Sequence, residues 1–144
     1  MGLFDFVKAA GRMIGIGDDA PDADALKKAV DEHGFETTGL EISVEGDKAV
    51  VKGTAKSQEE KEKIILALGN NKGIGSVAEE ITVEAPEPEA TFYTVKSGDT
   101  LSHIAKDHYG SANKYMTIFN ANRPMLSDPD KIYPGQVLRI PAEG

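Results

Sequence analysis

The spacing of apolar positions along this chain changes several times, and each change marks an element. At the start, Leu3, Phe6, Val7, Ala10, Met13 and Ile14 recur every three or four residues, with Asp5, Lys8 and Arg12 between them. That spacing predicts an amphipathic helix over residues 3–14, weakened at Gly11 and ended by Gly15 and Gly17. Asp22 is placed to N-cap a second helix that carries Leu26, Ala29 and Val30 on one face. The period then drops to two. Leu40-Glu41-Ile42-Ser43-Val44-Glu45 alternates as a strand with one wet face, Gly46-Asp47 turns it, and Ala49 to Thr54 returns. Ser57-Gln58-Glu59-Glu60 has the form of a capping box, opening a helix with Ile64, Ile65 and Leu68 inward and a stop at Gly69. Val77 to Val83 closes this half as a further strand through Ile81 and Val83.

The last third repeats the logic with a different order. Tyr93 and Val95 stand two apart, as in a half-buried strand, and Asp99 or Thr100 can N-cap a helix with Leu101, Ile104 and Ala105 on one side. Gly110 supplies a C-cap, Ser111 or Asn113 can open another helix, and Pro124 forbids its continuation. Pro134-Gly135 then turns the chain into a closing strand. Between the halves, Glu84-Ala85-Pro86-Glu87-Pro88-Glu89-Ala90 predicts an extended, solvated spacer. The expected class is α+β, with an N-terminal domain over 1–84, a linker over 85–90 and a second domain over 91–144.

Charge separates the halves further. Residues 1–90 hold 19 acids against 10 bases, whereas residues 91–144 hold 5 against 6. Neither half carries the basic stripe that a phosphate backbone requires, so no nucleic-acid partner is expected. The absence of cysteine excludes disulfides, thiolate metal sites and Cys nucleophiles. Asp5 interrupts the opening apolar run and no Ala-x-Ala pattern follows, so an export signal is not expected. Gly2 does not make a myristoylation site, because position 6 is Phe rather than Ser or Thr. No stretch is long and apolar enough to span a bilayer. A cytoplasmic monomer is the expectation. Asp18, Asp19, Asp22 and Asp24 lack the spacing and closing Glu of a calcium loop. His33, His103 and His108 form no metal pair, and no nucleophile elbow or other catalytic set emerges, so no enzyme is expected.

Three resemblances sharpen this reading. Tyr93-x-Val95-x-x-Gly98-Asp99-Thr100-Leu101, followed by Ile132-Tyr133-Pro134-Gly135-Gln136-x-Leu138-x-Ile140-Pro141, resembles a LysM module with its β-α-α-β order. The α-β-β-α-β order of the front half resembles a BON domain, here with an extra N-terminal helix. The arrangement as a whole, with close matches at residues 1–8, 57–63 and 92–141, resembles the Kbp family of small bacterial potassium-binding proteins. That resemblance implies cytoplasmic K⁺ binding as a sensor or buffer, compaction with the ion, BON as the principal ion-binding unit and LysM in support.

The chemistry of such a site can be reasoned from the ion. K⁺ is large and weakly hydrated, and selective sites surround it with neutral carbonyls. Helix C-termini offer them, since their last four carbonyls lack intrahelical partners. Two segments qualify: the glycine-frayed end of the first helix around Val7, Ala10 and Gly11, and the tract Gly69-Asn70-Asn71-Lys72-Gly73-Ile74-Gly75, whose glycines and asparagines tolerate unusual backbone angles. The expected ligands are backbone carbonyls of Val7, Ala10, Gly69, Asn71 and Ile74, with Rb⁺ and Cs⁺ accepted alongside K⁺. Taken without the resemblance, a Gly after a helix is a cap and Asn-Asn-Lys-Gly a loop. The competing expectation is a cell-envelope module that grips peptidoglycan or N-acetylglucosamine chains. The LysM resemblance puts that groove at Gly98, Asp99, Thr100 and Leu101 on one side, and Ile132 and Tyr133 on the other. A third reading is an adaptor for another protein or for membrane lipid.

Overall fold

A computed structural model describes residues 2–11, 21–35, 39–85 and 87–142. The first unit contains β1 (Gly2–Asp5), α1 (Ala23–Glu32), β2 (Leu40–Glu45), β3 (Lys48–Ser57), α2 (Gln58–Gly69) and β4 (Ser76–Ala85). The four strands form one sheet in the order β1-β4-β3-β2. β2 and β3 are antiparallel across the Gly46-Asp47 turn, whereas β3 and β4 are parallel and joined by α2 as the crossover. Val77, Glu79 and Ile81 alternate onto the buried side of β4, and Ala49, Val51 and Ala55 onto that of β3. α1 and α2 lie against each other, α1 also against β2 and α2 against β3 and β4.

Both helix starts follow from their caps. Asp22 accepts from Ala25 N at 2.8 Å, and Ser57 Oγ accepts from Glu60 N at 3.1 Å. The capping role leaves Asp22 with an ordinary structural task; Asp18 and Asp19 of the acidic cluster lie outside the described residues.

The N-terminal helix expected over 3–14 is not formed in the described part of that range. Residues 2–5 are instead a strand, antiparallel to β4, with Phe4 opposite Val77. The same residues fit both periods. Phe4 and Phe6, two apart, turn towards the core, while Leu3 is 64% and Val7 42% exposed. An edge of β4 with unpaired backbone groups decided between them, since a strand there satisfies N–H and C=O groups on both chains. Residues 12–14, the rest of the expected helix, lie outside the described residues.

The second unit has β5 (Thr91–Thr94), α3 (Leu101–Tyr109), a 3₁₀ turn (Ala112–Lys114), α4 (Tyr115–Ala121) and β6 (Val137–Ile140), with β5 and β6 antiparallel. Thr100 caps α3 by accepting from His103 N at 3.1 Å, and Gly110 ends it at φ +78°. Ile104, Ile118, Leu126 and Leu138 centre its core. Glu87, Pro88 and Glu89 of the spacer are exposed as expected, but β4 runs on through Ala85 and Ala90 N donates to Glu62 Oε2 at 2.9 Å.

Candidate functional site

Segment 6–11 lies directly across the loop between α2 and β4. Phe6 N donates to Gly75 O at 2.9 Å, and Gly73 N donates to Lys8 O at 2.8 Å. Glycine makes the approach possible at two points. Gly11 has φ +105°, and a Cβ there would lie 2.5 Å from Asn70 O and 2.8 Å from Asn71 N. Gly69 is helical, and a Cβ on it would collide with the Phe6 ring. Gly69 is therefore needed for closeness rather than for an unusual φ; Gly73, at φ +99°, is the residue of the tract that needs the glycine backbone.

The five carbonyl residues named from sequence thus sit on two segments in contact. Val7 and Ala10 belong to a turn in which Ala10 N donates to Val7 O at 3.0 Å, not to a helix end. Asn71 O accepts from Ile74 N at 3.1 Å. Each carbonyl so engaged keeps a second lone pair. At the end of α2, Leu66 O accepts from Asn70 N at 3.0 Å, and Ala67 O and Leu68 O accept from Asn71 Nδ2 at 2.7 and 2.8 Å. Of the four terminal carbonyls, those bonds leave out Gly69.

Asn71 is 1% exposed, and its Oδ1 is buried with no hydrogen-bond partner among the described residues. An unsatisfied buried amide oxygen is a rarity that calls for a physical account. A cation held by neutral oxygens fits that donor set: an amide oxygen, main-chain carbonyls and the negative end of the α2 dipole. Among the described residues no group of three or more His, Cys, Asp or Glu could hold a metal ion.

The residues of the second expected groove are occupied differently. Asp99 Oδ2 accepts from Tyr93 Oη at 2.6 Å and from Lys96 N at 2.8 Å. The short Tyr93 bond holds the Asp99 carboxyl below its ordinary range and, as the largest cause, pushes the Tyr93 hydroxyl up to about 12. Thr100 caps α3, Leu101 is buried in the second core, Ile132 packs on that core, and Gly98 turns the exposed loop at φ +88°. Tyr133, with Lys131, lines a cavity of about 100 Å³ whose other wall is His33, Leu66 and Asn70 of the first unit. That cavity does not reach Gly98 to Leu101.

The BON family model matches residues 18–85 and the LysM family model residues 93–141. Over 99% of its length the chain is 51% identical to the potassium binding protein Kbp of Escherichia coli O6:H1, and the match covers all of that protein. The chain belongs to the Kbp family. An uncharacterized protein of Deinococcus radiodurans shares 53% identity over 51 residues, 35% of this chain and 19% of that protein. Neither BON nor LysM is an enzyme family. No helix among the described residues is long and apolar enough to cross a membrane.

In this Kbp-family chain the BON and LysM units meet through groups that motif reading passed over. Asn70 Nδ2 donates to Val137 O at 2.8 Å, and Val137 N donates to Asn70 Oδ1 at 2.9 Å, so one side chain satisfies both main-chain groups of a β6 residue. Glu62, 3% exposed, accepts at Oε1 from Arg139 Nε and Nη2 at 3.0 and 2.8 Å, and at Oε2 from Gln58 Nε2 at 3.0 Å as well as from the spacer. The available signal was a carboxylate three and four residues ahead of Ile65 and Leu66, on a helix otherwise apolar from Ile64 to Gly69. Every residue of that stretch is buried, because α1 and β6 of LysM cover the sides of α2 that the sheet leaves open.

Proposed function

We propose that this chain binds K⁺ without catalysing a reaction, the ion held between segment 7–11 and tract 69–75 by backbone carbonyls of Val7, Ala10, Gly69, Asn71 and Ile74. The observation that carries the reading is the direct seating of one segment on the other, through Gly73 N to Lys8 O and Gly11 over Asn70. The identity to a protein named for potassium binding supports the choice of ion. Neutral oxygens favour large, easily dehydrated cations, so Rb⁺ and Cs⁺ replace K⁺ while Na⁺ and Ca²⁺ bind more weakly. The acidic first unit raises the local cation concentration without ligating.

The protein serves as a monomeric cytoplasmic sensor or buffer and becomes more compact with the ion. An ion shifts such an equilibrium only through unequal affinity for two states. The proximity of Asn70, which docks LysM, to Asn71 in the ion loop offers a route for that inequality. The domains divide as 1–84 and 91–144 about the spacer at 85–90. Calorimetry with KCl, NaCl, CaCl₂ and chitin oligomers on one sample tests the reading. Saturable K⁺ binding with no heat from chitin is expected; Ca²⁺ tighter than K⁺, or chitin alone binding, overturns it.

A further inference from the structure

Asn71 has one amide and uses its two ends very differently. Nδ2 donates to Ala67 O and Leu68 O, at 2.7 and 2.8 Å, and thereby closes the C-terminus of α2. Those two acceptors fix the orientation of the amide. Rotating it by half a turn would bring Oδ1 against two carbonyl oxygens, so the oxygen is held on the side away from the helix end. There it is buried and meets no donor among the described residues. Leaving such a group unsatisfied costs about 1–3 kcal/mol, and no donor among the described residues offsets that cost. A cap alone does not require it, since a Gly or a Lys ends a helix without burying an orphan oxygen. The same residue is crossed by Gly11, which comes close enough that a Cβ would lie 2.8 Å from Asn71 N.

Resting on the K⁺ reading above, we propose that Asn71 Oδ1 is a side-chain ligand of the cation and sets its size selectivity. The amide oxygen is neutral and chemically akin to the main-chain carbonyls proposed as ligands, so it joins them without bringing a charge that would attract divalent ions. It is also anchored. Two hydrogen bonds to the end of a buried helix prevent the oxygen from following a smaller ion inward, and Na⁺ is left under-coordinated. The residue thus has two roles that separate in experiment: Nδ2 stabilises the helix end with or without ion, and Oδ1 acts only when the ion is present.

Asn71→Ala in the full chain distinguishes the roles. Melting in choline chloride reads the cap; titration with KCl and NaCl reads the ligand. The expected result is a K⁺ affinity lower by roughly ten- to a hundredfold, the range for losing one bond to a charged partner, with the ratio of K⁺ to Na⁺ affinity reduced. A folded variant that keeps its K⁺ affinity and selectivity, and merely melts lower by the same amount in KCl as in choline chloride, overturns the proposal and leaves Asn71 a cap. If the variant does not fold, the wild-type protein decides. The side-chain amide resonances of Asn71 should move with KCl along the same isotherm as the main chain of residues 7–11, while those of Asn113 and Asn120 stay still. Main-chain saturation without movement at Asn71 overturns the side-chain ligand and spares the K⁺ reading. No main-chain response to KCl anywhere overturns both.

Discussion

Two loops in this molecule look like binding sites in the sequence, and they are finished in opposite ways. In the LysM loop from Ser97 to Leu101, Asp99 is engaged by Tyr93 Oη and Lys96 N, Thr100 is engaged by His103 N, and Leu101 is buried. In the BON loop from Gly69 to Gly75, the chain closes against residues 6–11 and yet leaves Asn71 Oδ1 buried without a partner among the described residues. The LysM loop has the stronger motif and the BON loop the unfinished chemistry. A motif can be strong because a turn demands it, whereas an orphaned polar atom has no structural use.

The largest expected effect comes from parting the units that carry the two loops. Glu62→Ala leaves the buried Arg139 guanidinium without its carboxylate and should lower stability by about 3–5 kcal/mol in denaturant titration. Fragment 91–144, with its own core at Ile104, Ile118 and Leu138, should still melt cooperatively and keep the Tyr93–Asp99 pair. An unfolded fragment would make the LysM loop depend on BON and blur the contrast. Next in size is Gly11→Ala, which places a Cβ 2.5 Å from Asn70 O at a backbone angle other residues rarely adopt. About 1–3 kcal/mol of strain is expected, and K⁺ binding by calorimetry should be lost while the LysM loop is untouched.

Acid and base sharpen the comparison from the other side. The Asp99 carboxyl is depressed in the folded chain, so its contribution is present above the ordinary value of 3.8 and is lost as pH falls through the folded value. Tyr93 is raised from 10.0 to about 12, so its contribution is present below pH 10 and is lost as pH rises towards 12. Asp99→Ala should remove the acid arm and lower LysM stability by about 1 kcal/mol in thermal melts. K⁺ affinity should not follow either arm while the fold persists, because no titrating group is among the proposed ligands. The smallest effect is expected at the wet surface. Glu45→Gln, at a side chain 68% exposed, should change K⁺ affinity less than about twofold, and that change should disappear with added choline chloride.

What could be read from sequence follows from how local each cause is. Thr100, Gly110, Ser57 and Asp22 act on neighbours within four residues, so the helices they bound were legible. The first strand was not. Leu3, Phe6, Val7 and Ala10 satisfy a helical spacing as well as Phe4 and Phe6 satisfy an extended one, and the deciding partner, β4, lies over seventy residues away. The glycines and asparagines of 69–75 were visible as permissive backbone, but Gly69 was needed for the Phe6 ring and not for its φ. The fate of Asn71 was beyond pattern reading, since it depends on which end of one amide meets the last turn of α2. The Glu62–Arg139 pair is separated by the whole spacer and nearly all of LysM, and only folding brings it together.

The central claim is the location of the ion, and carbonyl ¹³C shifts during a KCl titration of the intact chain test it most directly. The account predicts saturable shifts concentrated at Val7, Ala10, Gly69, Asn71 and Ile74, reproduced by RbCl and weak with NaCl at matched ionic strength. Shifts that saturate at residues 97–101 and 131–133 instead, or that appear at neither loop, would contradict it.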